Sequence, residues 1–146
     1  MSEKVLLENI EALKKQLFWL QHSYDVCKAI GAKQSYSVTE FDAFESLSSR
    51  FARSIDFLIR KVLRSLDAAE FEQQGTLIDV VNRAHKRGLF SDIEAIRTIK
   101  DIRNEIAHEY IDDDLQEIFD DLLQYTPFLI AFMENTMSYC GKYEEA

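Results

Sequence analysis

The chain has 146 residues, 47% of them apolar, and a net charge of −9. That length fits one domain that buries roughly two thirds of its unfolded surface, and the apolar content excludes a disordered chain. A mixed apolar and charged opening at Ser2, Glu3 and Lys4 is no secretory leader, and no apolar run approaches the ~20 residues of a bilayer span, so a cytoplasmic protein without a membrane partner is expected.

Only four glycines and one proline punctuate the chain, which predicts few, long helices. The first helix runs from about Ser2 to Ile30. Its apolar positions Leu6, Ile10, Leu13, Leu17, Leu20, Tyr24 and Cys27 form a seam at alternating spacings of four and three. Such a seam needs a long helical partner, and an intramolecular antiparallel bundle is preferred over a coiled coil between chains. Gly31 ends this helix, and a polar loop follows through Tyr36 and Ser37. A second helix begins near Thr39, with Phe41, Phe44, Leu47, Phe51, Ile55, Leu58, Val62 and Leu66 on one face. On a 3.6-residue wheel Arg53, Phe57, Arg60 and Arg64 fall together on the opposite side. That basic stripe around an aromatic has three readings: a solvated face with one exposed Phe, a dimer interface, or an RNA contact.

A short third helix spans about Thr76 to Arg87 and closes at Gly88. The fourth opens at Ser91, with Glu94 three residues on as a capping box, and continues to about Tyr110. Asp112, Asp113 and Asp114 suit the start of a fifth helix, which Pro127 should kink or split near Tyr125. The expected fold is all-α, a single-domain antiparallel bundle of about five helices over residues 1–146. Cys27 and Cys140 make no CxxC pair and read as reduced, packed thiols. His22 and His85 have no partners at ligand spacing. The acidic run with His108 lacks the spacing of a zinc or calcium site, so neither metal nor cofactor is expected.

Charge is unevenly distributed. Between Arg50 and Arg64 five basic residues face Asp56 alone, whereas Glu105 to Asp121 holds eight acidic residues and no Lys or Arg. The segment that joins these regions in chemistry is Arg103-Asn104-Glu105-Ile106-Ala107-His108-Glu109-Tyr110. In the fourth helix Arg103 lies about 40° from Ile99, inside the apolar sector. A buried guanidinium requires an anion, so an internal carboxylate such as Asp56, a wet cleft or a ligand phosphate must compensate it. Asn104 and His108, four apart, share a face. His108 sits at the end of its helix, where the dipole favours cations, a setting suited to proton transfer or to an idle surface histidine.

The string Arg-Asn-x3-His-x-Tyr, late in a helical chain of this size, resembles the HEPN family. The likeness is nearest to the HepT-like toxins that pair with MntA-type minimal nucleotidyltransferases. It extends over nearly the whole chain, including the two long amphipathic helices and the stretch from Gly75-Thr76-Leu77-Ile78-Asp79 to Gly88-Leu89-Phe90. The resemblance implies a homodimer whose two Arg-x4-His motifs line one cleft and cleave RNA, with tRNA among the candidate substrates, without metal. Arg103 would hold the scissile phosphate and neutralise its growing charge, and His108 would act as general base or acid while the ribose 2′-hydroxyl attacks. Asn104 would orient the histidine or a phosphate oxygen. Tyr110 would accept AMP from the nucleotidyltransferase partner, which silences the cleft. Two other readings stand beside this one: a non-catalytic adaptor of the nucleotidyltransferase that grips a nucleotide through Arg103, and a purely structural dimerising bundle.

Overall fold

Every element in the computed structural model, which describes residues 2–108 and 112–144, is helical. Helix α1 (Ser2–Ile30) is followed by a rod of three consecutive segments: α2 (Val38–Phe57), a π-helical turn (Leu58–Val62) and α3 (Leu63–Ala69). Then come α4 (Leu77–Lys86), α5 (Ile93–Ala107) and α6 (Asp112–Glu144). Helix α1 packs on α2, α3 and α6, and α5 packs on α2 and α6. The short α4 rests on α3 and the π turn. The all-α bundle expected from the sequence is present, with the wide turn as an addition.

The heptad seam of α1 is covered from within the chain. Leu6, Ile10, Leu13, Leu20 and Cys27 are fully buried, while Leu17 and Tyr24 pack against the core from its edge. Facing them are Phe44, Leu47, Phe51 and Ile55 of α2 and Phe119, Leu122, Leu129, Phe132 and Met133 of α6, in one apolar cluster. Phe44 stacks on Phe119 at 4.6 Å between centroids, and Phe41 and Tyr36 meet the same ring edge-on at 5.5 Å. These offset and edge contacts strengthen an aromatic core beyond the area it buries.

Local chemistry sets most of the helix ends. Ser37 and Thr76 cap α2 and α4 in full capping boxes with Glu40 and Asp79. Gly31 and Gly88 take the left-handed conformation, φ +77° each, just past α1 and α4, where a side chain would strain the backbone. At α5 the expected cap is displaced by one residue. Asp92, not Ser91, accepts from the amide of Ala95 at 3.1 Å, because a carboxylate is a strong acceptor for the third amide of a helix. Glu94 instead pairs with Arg97 on the exposed surface. A second departure is Pro127, which lies inside α6 without splitting it. Buried anchors on both sides, from Leu122 to Met133, hold the helix together across the one missing hydrogen bond. Helix α6 starts at Asp112 as expected, although the side chains of Asp112, Asp113 and Asp114 lie outside the described residues.

A polar network fastens α4 in place. Asp67, 1% exposed, accepts from Arg87 at 2.7 Å and from Arg83 at 3.1 Å. Glu70 accepts from Arg87 Nε, from the phenols of Tyr139 and Tyr143, and pairs with Lys142. Charges are tolerated there because every one has several partners. Among the described residues no helix is long and apolar enough to cross a membrane.

Candidate functional site

The site is built where the middle of the α2 rod faces α5. Ile96, Ile99 and Ile102 bury the inner face of α5, and this rotation carries Arg103 to the boundary of the core rather than into it. Its guanidinium meets Asp56 in a bidentate pair, with Nε 2.9 Å from Oδ1 and Nη2 2.8 Å from Oδ2. About a third of each side chain is exposed. The internal carboxylate is thus the compensation that the sequence required, and it raises the Arg103 pKa by hydrogen bonding and by charge. Parallel N–H to oxygen bonds of this kind are the strongest way to hold a guanidinium.

Around the pair lies a cavity of about 90 Å³ lined by Ile55, Asp56, Ile59, Arg60, Leu77, Lys100, Arg103 and Asn104. Arg60 and Lys100 make no ion pair among the described residues. One carboxylate therefore stands against three cations, a local excess of positive charge in an acidic chain. The wall of this cavity includes Ile59 and Arg60, both in the π turn (Leu58–Val62). Ile55, Asp56, Ile59 and Arg60 stand at i, i+1, i+4 and i+5 along the rod, one strip of a helix, so Arg60 faces α5 beside Asp56.

The packing of neighbouring helices also divides the expected basic stripe. Arg53, Phe57, Arg60 and Arg64 do not share one surface. Arg53 is exposed and lines a different cavity, and Phe57 packs against the core. Arg64 donates to the carbonyl of Gly75 at 3.1 Å and to Gln74, pinning the loop before α4. Of the four, Arg60 alone lines the Arg103 cavity. A wheel of this helix alone cannot show it, because it does not say which neighbouring helices its faces meet.

Asn104 lines the cavity beside Arg103. His108 is exposed and is not in that lining. Helix α5 ends at Ala107, short of the expected Tyr110, and His108 takes an extended backbone, φ −86° and ψ 155°, with its amide donating to Glu105. The four-residue face expected to join Asn104 and His108 is therefore not a helical pairing. Tyr110 lies outside the described residues. Lys100 was the residue that the sequence reading missed, although its spacing of three from Arg103 and four from Asn104 places it on the same helical strip.

A second basic cavity, of about 280 Å³, opens between α1 and α2 and is lined by Lys15, Gln16, Trp19, Arg50, Arg53 and Ser54. Arg50 lies over the Trp19 ring at 5.1 Å from its centroid and donates to Ser23 Oγ at 2.6 Å. Nothing in the local sequence joins Trp19 to Arg50, since 31 positions separate them. Among the described residues no three His, Cys, Asp or Glu side chains group to hold a metal ion. No family model, curated protein or solved structure matches this chain.

Proposed function

We propose that this protein is a HEPN-type, metal-independent endoribonuclease of the HepT-like kind, acting as a homodimer and regulated by an MntA-type nucleotidyltransferase. The observation that carries the reading is the convergence of Arg60, Lys100, Arg103 and Asn104 on one cavity with Asp56 as the one carboxylate among the described residues that line it. A phosphodiester entering there meets an excess of cations and a planar donor fork matched to its oxygens. It must displace Asp56 from Arg103, so the carboxylate holds the guanidinium ready without neutralising the neighbouring cations. His108, five residues on at the open end of α5, is exposed and accessible to a ribose hydroxyl. It would take that proton as the 2′-oxygen attacks phosphorus and the P–O5′ bond breaks, leaving a 2′,3′-cyclic phosphate and a 5′-hydroxyl end whose oxygen takes up a proton from solvent. A second copy of the chain would bring a second such motif to the same cleft and add its positive potential. Modification of Tyr110 by AMP, which the family resemblance implies, would add an anion two residues along the chain from His108.

The occupied state of Arg103 favours one competing reading, a non-catalytic nucleotide-binding adaptor in which the same guanidinium exchanges Asp56 for a nucleotide phosphate. Incubation of total tRNA and a synthetic RNA with the protein in EDTA separates the two. Cleavage by wild type but not by Arg103→Ala or His108→Ala, with cyclic phosphate ends, is the expected result. Intact RNA throughout, with nucleotide retained by wild type, assigns the adaptor role instead.

A further inference from the structure

We propose that the groove between α1 and α2 is a subsite for single-stranded RNA, in which Lys15, Arg50 and Arg53 meet phosphates and Trp19 stacks a base. It deepens the ribonuclease reading and rests on it for the course of the strand toward Arg103. Three cations line this cavity, and among the described residues none of them is ion-paired. Lys15 and Arg53 are exposed, so their charge is available to a ligand. In a chain of net charge −9, an unneutralised trio around one concavity attracts an anion against the overall field.

The aromatic component narrows the chemistry. Trp19 is 51% exposed, although its ring is large enough to bury profitably elsewhere. Arg50 is layered over it at 5.1 Å, giving a guanidinium–indole stack that a nucleobase can extend. A third feature is an unmet acceptor in the wall. The amide oxygen of Gln16, in the same cavity, is buried and has no hydrogen-bond partner among the described residues. An acceptor of this kind is costly to leave unmet. Meeting it with a base amino group or a ribose hydroxyl requires the Gln16 side chain to turn toward the groove.

Position ties the groove to the Arg103 cavity. Arg53 lines the first and Asp56 the second, and residues three apart on a helix are neighbours at about 5–6 Å between Cβ atoms. A strand laid across α2 would pass from Trp19 and Arg53 to Arg60 and Arg103.

Trp19 is the sole tryptophan of the chain, so its fluorescence reports on this groove alone. The test is titration with 2′-O-methylated oligoadenylate, which cannot be cleaved through its 2′-oxygen, alongside 5′-AMP and inorganic phosphate. Quenching by the oligonucleotide is expected, with the logarithm of affinity falling against the logarithm of salt at a slope of about −2 for three phosphate contacts. The double variant Lys15→Ala/Arg53→Ala should keep its helical signal and melting behaviour, lose at least tenfold in affinity, and show a slope of about −0.7. No quenching by any ligand overturns the proposal. Quenching by 5′-AMP but not by the oligonucleotide overturns the strand reading and leaves a mononucleotide pocket, and equal binding of phosphate without quenching leaves only an anion patch. Quenching in a wild type that cuts no RNA supports the groove and rejects the ribonuclease reading, whereas cleavage without quenching does the reverse.

Discussion

At the scale of single residues, Asp56 and Phe71 show two ways in which local energetics point beyond packing. The Asp56–Arg103 pair is about a third exposed on each side, so solvent screening limits its worth to about 1 kcal/mol or less. Asp56→Asn is expected to unfold at nearly the wild-type denaturant midpoint while binding RNA more tightly, because the competing anion is gone. Weaker RNA binding by this variant would show that the carboxylate positions the guanidinium rather than shielding it. Phe71 has a left-handed φ of +63° and is 95% exposed. It ends α3 in a Schellman turn, with the amide of Glu72 bonded to the carbonyl of Asp67 and that of Phe71 to Ala68. Glycine is the natural occupant of that position. Phe71→Gly should therefore stabilise the protein by about 1 kcal/mol, seen as a rise of a few degrees in Tm. An unchanged or lower Tm would mean that the ring makes a compensating contact.

At the scale of elements, the π turn and the Glu70 network decide how α4 and α5 stand against the α2 rod. Because a π turn is a one-residue insertion, removing Lys61, which is exposed, should let the turn close into an α register. The flanking faces of α2 and α3 would stay where they are, and a cooperatively melting helical protein is expected. Deleting Leu47 from the regular part of α2 should abolish folding, since it rotates every later residue by about 100°. Equal loss of structure in both deletions would refute this account of the turn.

The Glu70 network predicts a dependence on acid. Burial alone would raise the Glu70 pKa, but hydrogen bonds from Tyr143, Tyr139, Lys142 and Arg87 outweigh it and bring it to about 2. The folded state therefore holds this carboxylate ionised where the unfolded chain, at about 4.3, takes up a proton. The stability it contributes is complete above that value and disappears as pH falls toward 2. Glu70→Gln should flatten the loss of unfolding free energy between roughly pH 5 and pH 2, and an unaltered acid limb would remove Glu70 as its cause. Tyr143 is raised to about 12, first by burial and then by its bond to Glu70. Its contribution is fully present below pH about 10 and is lost as pH rises through 12.

At the scale of the whole molecule, Cys27 and Cys140 report on global opening. Both are buried with no exposed surface, and burial pushes each thiol up to about 12. Thiol reagents attack the thiolate, so labelling should be negligible in the native state and should follow global unfolding, with the two sites reacting at the same rate. Rapid labelling of one alone would reveal a local opening of α1 or of the end of α6.

The bundle itself was legible in the sequence because each helix carries its own instructions. The seam of α1 and the stops at Gly31 and Gly88 act within one or two turns, and the structure places them as that local chemistry requires, whereas Ser37, read as loop, and Thr76, read as the first helical residue, prove to be the caps of α2 and α4. The need of Arg103 for an anion was legible for the same reason, since a guanidinium near Ile99 is costly wherever the chain goes, and Asp56 was among its candidate partners. What tertiary structure alone decided is which surfaces meet. The π turn at Leu58–Val62 has no local signature, and the Arg53, Phe57, Arg60 and Arg64 stripe is divided by the different helices and loops that pack on the rod. Burial on both sides of Pro127 outweighs the break that its ring favours. The pairing of Trp19 with Arg50, and of Arg60 and Lys100 with Arg103, depends on contacts between different elements or on the register that packing selects. Local propensity acts through neighbours along the chain, whereas a site is assembled by burial, which acts between helices far apart in it.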